Sequence, residues 1–221
     1  MAEIVEELWK FPLFEGLSLA EAQAFSAAVG GHFQVYERES RILNAYEDRT
    51  EIGILAAGKA QVVTENWLGD EVLGHYLLPG SIFGCPAAIL GGVYNNASVD
   101  AKTEVTVFLL PYQELLTRGI HQGRVHGIVM KNLLRLLAKK IVLMTRKLEL
   151  LSQKSVRGRL VAYLLQEKEQ QRRERLEVPG RVQLAHYLEC NRSALTREVS
   201  RMEQEGLLEC GEGWMRLLKK F

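Results

Sequence analysis

Large apolar side chains recur at alternating steps of four and three residues along residues 124–151. A repeat of this period keeps one stripe of a helix turned toward a partner helix over its whole length, as in a coiled coil. The pattern therefore predicts one long helix that pairs with a second copy of itself in a parallel homodimer. The predicted interface residues are Met130, Leu134, Leu137, Ile141, Met144, Leu148 and Leu151.

A second apolar stripe lies beside the first on the same predicted helix. It consists of Val129, Leu133, Leu136, Leu143 and Leu150. Two stripes need two surfaces to cover them, so we expect one stripe to pack against the rest of its own chain. The alternative is that the helix only caps its own domain and forms no dimer.

Before this helix the pattern is one of short strands separated by turns that contain Gly, Asn or Asp. Many short strands in series predict an antiparallel barrel or roll. Ahead of them, Ser18 and Glu21 have the spacing of a capping box, which predicts the start of a helix. The predicted strands are residues 32–36, 41–43, 51–55, 60–64, 72–78 and 105–110.

The last 70 residues form a separate pattern of helices and turns. A helix is predicted from Val156 to about residue 170, and the charged run at residues 167–177 is interpreted as its solvated end. Two short helices follow, residues 181–188 and 192–205, around a three-residue break. With an apolar hairpin at residues 207–217, this arrangement predicts a winged helix-turn-helix.

Charge is distributed unevenly between the two parts of the chain. Residues 152–221 hold 14 lysines and arginines against 10 aspartates and glutamates, whereas residues 1–151 hold 14 against 17. A basic excess at the helix-turn-helix indicates contact with nucleic acid there.

The sequence offers no pattern typical of a metal site, a cofactor or an enzyme. Cys85, Cys190 and Cys210 are far apart, which argues against an iron–sulfur cluster or structural zinc, and we expect free thiols. No histidine or serine lies in a catalytic motif. An acidic amino terminus and the lack of a long apolar run predict a cytoplasmic protein without a membrane segment.

Four segments resemble the cAMP receptor protein/FNR (Crp/Fnr) family of bacterial transcription regulators. They are residues 11–17 (FPLFEGL), 54–62 (ILAAGKAQV), 78–84 (LPGSIFG) and 184–208. The resemblance implies an α+β fold with a jelly-roll, cyclic nucleotide-binding-like β-roll sensor domain (1–123), a dimerisation helix (124–151) and a winged helix-turn-helix (152–221). It also implies that the homodimer binds promoter DNA, and that an activator of this kind would contact RNA polymerase.

The segment that resembles the family's phosphate-binding cassette departs from that of the cyclic-nucleotide binders. After Gly84, Cys85 stands where those proteins carry a glutamate, and Asn95 and Asn96, followed by Ala97, stand where they carry an Arg-Ser pair. An asparagine amide cannot neutralise a buried phosphate. We therefore expect an effector other than a cyclic nucleotide.

The predicted effector pocket comprises Gly84, Cys85, Asn95, Asn96, Ala97, Met144 and Thr145. A neutral or weakly polar molecule would suit such a pocket. Two alternatives remain open: side chains fill the space and the protein is not gated by a ligand, or His75 or Cys85 ligates a heme.

The predicted DNA-reading residues lie at the start of the second helix of the helix-turn-helix. They are Asn191, which caps the helix, and Arg192, Ser193, Thr196, Arg197 and Arg201. The resemblance places Arg192, Ser193 and Arg197 at the family's base-reading positions. Glu189 replaces a glycine common at the turn, which is tolerable if the backbone there avoids positive φ.

The sequence thus predicts a sequence-specific DNA-binding transcription regulator gated by a small molecule. The alternative is a stand-alone ligand-binding or protein-interaction module that does not bind DNA. A cupin-type barrel enzyme would need a set of His and Glu metal ligands, which the sequence does not provide.

Overall fold

The computed structural model of the chain describes residues 11–65 and 71–219, and of residues 65 and 71–75 it describes the backbone only. The acidic amino terminus (residues 1–10) and the side chain of His75, on which two expectations rest, lie outside the described residues. The chain divides into two compact units, residues 1–137 and 138–221.

The first unit begins with a 3-10 turn, Pro12–Phe14, and helix α1, Leu19–Ala28. The predicted capping box starts this helix. The Ser18 hydroxyl accepts from the Glu21 backbone N–H at 3.3 Å, and the Glu21 carboxylate accepts from the Ser18 N–H at 2.9 Å. Both bonds satisfy backbone donors that the first turn of a helix leaves without partners.

Two antiparallel four-stranded sheets follow and form the predicted β-roll. One sheet has the order β1-β8-β3-β6 and the other β2-β7-β4-β5. The strands are β1 His32–Tyr36, β2 Arg41–Leu43, β3 Glu51–Ala57, β4 Ala60–Glu65, β5 Glu71–Leu77, β6 Ile82–Phe83, β7 Ala97–Ala101 and β8 Val105–Pro111.

Strand β8 has an apolar cluster on each of its faces. Phe108 and Leu110 point into a cluster shared with helix α1, whereas Val107 and Leu109 point into the cluster with residues of the second sheet. All four side chains are at most 1% exposed. A strand covered on both faces is a continuous apolar run and not an alternating pattern, which is the sequence seen here.

Short helices connect the two sheets to each other and to the long helix. Helix α2, Cys85–Leu90, and the turn Gly92–Tyr94 lie between β6 and β7, and helix α3, Tyr112–Thr117, follows β8. Helix α4, Arg124–Leu151, has the bounds that the apolar repeat predicts. None of the helices in the described part of the chain combines the length and hydrophobicity of a bilayer span.

The second stripe of α4 is largely covered by its own chain. Val129 and Leu133 belong to the core of the first unit and Leu150 to the core of the second, all at most 2% exposed. Leu143 is the exception, because 59% of it is exposed.

The predicted dimer stripe of α4 is largely open to solvent in the single chain. Leu134, Ile141, Met144 and Leu148 are 60–68% exposed. Met130, Leu137 and Leu151 are half-buried against the cores of their own units.

The second unit contains the carboxyl end of α4, three further helices and a small sheet. The helices are α5 Val156–Gln171, α6 Arg181–Tyr187 and α7 Arg192–Gln204, and the strands are β9 Leu176–Glu177, β10 Leu208–Gly211 and β11 Trp214–Leu217. The antiparallel sheet has the order β10-β11-β9. This is a winged helix-turn-helix, as predicted.

Three strands were missing from the sequence prediction. Strands β6 and β9 have two residues each, which is too short for a recognisable period. Strand β7 was not predicted either. The interpretation of residues 167–177 as a solvated helix end was wrong in part, because Leu176 is 1% exposed and pairs with Met215 of the wing.

An arginine of α5 holds α7 in place. The Arg157 guanidinium donates to Glu198 at 2.5 Å and makes two bonds to the Glu205 carboxylate, at 2.7 and 3.0 Å. This bidentate contact with Glu205 suits the planar guanidinium. Hydrogen bonding to Arg157 lowers the pKa of Glu205 from its ordinary value of 4.5.

Replacing Arg157 with methionine is expected to lower the midpoint of thermal unfolding by a few degrees at pH 7. The pKa of Glu205 is lowered in the folded state. The stabilisation that Arg157 gives the wild-type protein is therefore fully present above about pH 4.5 and disappears as the pH falls through the folded pKa. Circular dichroism from pH 7 to pH 3 would therefore show the difference from wild type shrinking in acid.

The matched control is Arg173→Met, which removes an exposed arginine paired with Glu177 four residues along the chain. We expect this variant to unfold at the wild-type midpoint. If Arg157→Met lowers the unfolding midpoint by the same amount at pH 3 and pH 7, the role of the carboxylates is contradicted. The loss would then come from the packing of the arginine stem.

Candidate nucleic-acid interface

The turn between α6 and α7 is closed by backbone hydrogen bonds. The Glu189 N–H donates to His186 O at 3.1 Å and the Cys190 N–H donates to Ala185 O at 3.0 Å. This pair of bonds is a Schellman motif, which places the residue after the C-cap in the left-handed region. Glu189 accordingly has φ +49°. The condition under which the sequence made a glutamate tolerable here, a backbone without positive φ, is therefore not met, and the strain costs about 1 kcal/mol relative to glycine.

Helix α7 buries one face and exposes the opposite one. Leu195, Val199 and Met202, spaced by four and three residues, are at most 2% exposed and lie in the core of the second unit. The predicted reading residues at positions 191, 192, 193, 196, 197 and 201 are all exposed. The structure therefore brings these six side chains together on the solvent side of one helix.

Asn191 occupies the N-cap position of α7, and its backbone is extended, with φ −67° and ψ 138°. Its side chain makes no capping hydrogen bond. The sequence located the start of the helix correctly, but the side-chain cap expected of Asn191 does not form. Asn191 and Ser193 are both exposed, so the amide of the first and the hydroxyl of the second face solvent.

Two of the predicted reading residues already have partners on α7. Arg201 donates to Glu205 at 3.1 Å, and the Thr196 hydroxyl donates to the carbonyl of Arg192 at 2.9 Å. Within the described residues, the guanidinium groups of Arg192 and Arg197 make no ion pair. These two arginines of α7 can therefore bind an anionic or hydrogen-bonding ligand without first breaking an ion pair.

The wing adds a further arginine that the sequence reasoning missed. The guanidinium of Arg175 stacks 4.6 Å from the ring centroid of Trp214 on β11. A stacked arginine keeps its in-plane donors free for hydrogen bonds. Its position within the charged run 167–177 was the available signal, but that run was assigned to a solvated helix end.

Cys190 and Cys210, in the turn and on the wing, are partly buried and free. Burial raises the pKa of both thiols. They therefore remain protonated and act as apolar side chains at the edge of the core. Among the described residues, no group of three His, Cys, Asp or Glu side chains could hold a metal ion.

The predicted effector residues of the first unit lie around α2 and the start of β7. Gly84 is the N-cap of α2, with φ +74°, and Cys85 is its buried first residue. Asn95 is buried, whereas Asn96 is exposed and Ala97 is half-buried at the start of β7. Met144 and Thr145, the other two, belong to α4 in the second unit and are exposed.

The side chain of Asn95 is engaged within the protein. The nitrogen of its side-chain amide donates to the backbone carbonyls of Asn44 at 3.3 Å and Ala97 at 2.9 Å. The backbone carbonyl of Asn95 accepts from the Tyr46 N–H at 2.6 Å. An amide nitrogen has two hydrogens, so both are used. Asn95 has no donor left for a phosphate.

Comparison with known sequences agrees with this architecture. Residues 33–117 match the sequence model of the cyclic nucleotide-binding domain, and residues 158–220 match that of the Crp-like helix-turn-helix domain. Among curated proteins, none matches the sequence significantly.

Solved structures with this fold come from several bacteria. The catabolite activator protein of Thermus thermophilus is 23% identical, with a TM-score of 0.55 over 93% of each chain. A CooA variant from Carboxydothermus hydrogenoformans is 16% identical, with a TM-score of 0.63 over 97% of this chain and 91% of its own. The c-di-GMP responsive regulator CLP of Xanthomonas campestris is 17% identical, with a TM-score of 0.57 over 92% of this chain and 100% of its own.

A β-roll that matches the cyclic nucleotide-binding domain model, followed by a Crp-like helix-turn-helix, is the domain order that the sequence motifs indicate. The structure adds the long helix between them and the wing beside the recognition helix. The chain is a Crp-like DNA-binding transcription regulator, and it belongs to the cAMP receptor protein/FNR (Crp/Fnr) family.

Proposed function

We propose that this protein reads a specific operator sequence through helix α7, acts as a homodimer formed by α4, and responds to a small molecule other than a cyclic nucleotide. The observation that carries the proposal is the exposed face of α7, where Arg192 and Arg197 make no ion pair within the described residues. Such a regulator works in the cytoplasm on promoter DNA, and as an activator it would contact RNA polymerase.

The chemistry of α7 suits base reading in the major groove. The first turn of a recognition helix reaches base edges, and the next turn on the same face adds contacts. Arg192 and Arg197 can each donate two hydrogen bonds to guanine O6 and N7, while Asn191 can pair with adenine. Arg157 neutralises two carboxylates of the same helix, which reduces the repulsion of phosphates.

Replacing Arg192 or Arg197 with alanine is expected to weaken binding to the cognate operator by about 1 to 3 kcal/mol each. Binding to random-sequence DNA should fall much less, because base contacts contribute only to specific binding. Gel retardation or fluorescence anisotropy with both duplexes measures the two affinities.

Arg201→Ala is the matched control, since Arg201 already pairs with Glu205 at 3.1 Å. It should have a smaller effect on the cognate site. If Arg192→Ala and Arg197→Ala lose the same affinity for both duplexes, these arginines contact phosphates and not bases. Unchanged binding would remove them from the interface.

The homodimer proposal rests on the open stripe of α4. Four large apolar side chains of this stripe are 60–68% exposed in the single chain. Covering them is favourable by about 25 cal/mol for each Å² of apolar surface. Their spacing of three and four residues lets a second copy of the same helix cover them.

Charged substitutions at Ile141 and Leu148, for example to glutamate, should convert the dimer to monomers and abolish operator binding. Two buried carboxylates facing their symmetry mates are unfavourable in an apolar interface. Sedimentation velocity at micromolar concentration measures the change. Lys139→Glu, on the opposite face of α4, should leave the dimer intact, and a monomeric wild type would refute the proposal.

The proposal of a different effector rests on the phosphate-binding positions. Asn95 uses both amide hydrogens within the protein, and Asn96 brings no charge. Nearby arginines are engaged as well: Arg41 pairs with Asp100 at 2.5 Å, and Arg49 donates to the carbonyl of Ile42 at 2.5 Å. A desolvated phosphate would therefore lack the cation it needs.

Calorimetric titration with cyclic AMP, cyclic GMP and c-di-GMP, to which the Xanthomonas regulator responds, should give no binding heat at sub-millimolar concentrations. A metabolite screen for thermal stabilisation, in contrast, should yield a stabilising ligand, because any molecule that binds the folded state raises its unfolding temperature. A micromolar dissociation constant for any of the three nucleotides would contradict the proposal.

A further inference from the structure

Two cations from neighbouring helices hold the carbonyl groups at the end of α6. The Lys147 ammonium, on α4, donates to the carbonyl of Tyr187 and lies 4.5 Å from the centroid of its ring. The Arg159 guanidinium, on α5, donates to the carbonyls of Leu188 and Glu189, both at 3.0 Å. The last carbonyls of a helix lack partners within the helix and carry the negative end of its dipole, so cations suit this place.

Glu189 adds a side-chain contact to the same place. Its carboxylate lies 3.5 Å from the Lys147 ammonium, whose side chain is only 29% exposed. Helices α1 and α7 end with the same pair of backbone bonds, but there Gly30 and Gly206 take the left-handed position. At the end of α6 the chain instead keeps a strained glutamate, and that glutamate reaches back to α4.

We propose that the ion pair of Lys147 and Glu189 is a positioning contact for DNA reading. It fixes the turn between α6 and α7 against α4, so that Asn191 and Arg192, which follow the turn directly, start the recognition helix in one orientation. This inference rests on the proposed reading role of α7. Because α4 also carries the proposed dimer stripe, the pair sets the direction of α7 relative to the helix that joins the two copies.

A purely structural role and a positioning role predict opposite results at position 189. Replacing Glu189 with glycine relieves the positive φ and removes a negative charge. By strain and charge alone, the variant should be as stable as wild type or more so, and it should bind DNA slightly more tightly. A variant of undiminished stability that binds its operator more weakly has therefore lost something other than strain or charge, and the Lys147 variants identify whether it is the ion pair.

The test uses the full-length protein and two duplexes, one selected by the wild type from a random-sequence library and one of random sequence. For Glu189→Gly we expect an unfolding midpoint at or above that of wild type, and an affinity for the selected duplex that is weaker by roughly three- to tenfold. The affinity for the random duplex should be unchanged or slightly higher.

Lys147→Met tests the partner and retains the aliphatic stem. It should lose affinity for the selected duplex to a similar extent, and the double variant should lose little more than either single one. Lys154→Met, which removes an exposed lysine from the loop after α4, controls for the loss of one positive charge. It should weaken binding to both duplexes equally and keep their ratio.

The positioning role is overturned if Glu189→Gly keeps the wild-type ratio of the two affinities. It is also overturned if the losses of the two single variants multiply in the double variant. If the wild type itself does not prefer any duplex, the proposed reading function fails, and hydrogen exchange in the free protein decides this inference. Faster exchange of the amides of residues 189–193 in Lys147→Met, but not in Lys154→Met, supports the contact between helices. Unchanged exchange refutes it.

Discussion

The apolar surface of helix α4 is the constraint on which the rest of the structure depends. Over 28 residues the helix carries two apolar stripes, which cannot both be buried by one neighbour. Val129 and Leu133 enter the core of the first unit, and Leu150 enters the core of the second. The same helix is thus a structural part of both cores, and a partner that covers its open stripe acts on an element that both units share.

The bounds of α4 could be predicted from the sequence because a long periodic pattern overrides local ambiguity. Six of the eight strands of the β-roll were also predicted, since each is bounded by turn residues. The missing strand β6 spans only Ile82 and Phe83, which form two backbone pairs with β3. Such short strands depend on a neighbouring strand and leave no pattern of their own. The same holds for β9, which exists because Met215 and Trp214 pair with it.

Exposure of the proposed reading face of α7 was predictable, because Leu195, Val199 and Met202 define the opposite, buried face. The contacts that hold α7 were not. Arg157 and Glu198 are 41 residues apart in the chain, and Lys147 and Tyr187 are 40 apart. Nothing in the local pattern connects such partners, because their proximity is created by the packing of whole helices.

The left-handed conformation of Glu189 follows from the length of the turn between α6 and α7. Only three residues separate the C-cap of α6 from the first residue of α7. A connection that short between two helices commonly requires one left-handed residue. The length of the turn, and not the residue type at position 189, therefore determines the left-handed backbone.

The residues around Asn95 and in the turn before β7 are held by hydrogen bonds within the protein. Asn95 donates to the carbonyls of Asn44 and Ala97, and the Gly92 N–H donates to the carboxylate of Asp48 at 2.7 Å. These bonds satisfy buried polar groups without any external phosphate. Because these bonds already fix the residues around Asn95, a molecule that binds here would gain little from ordering them. To act as an effector, such a molecule would have to bind one of two arrangements of the protein more tightly than the other, because only a differential contact shifts an equilibrium.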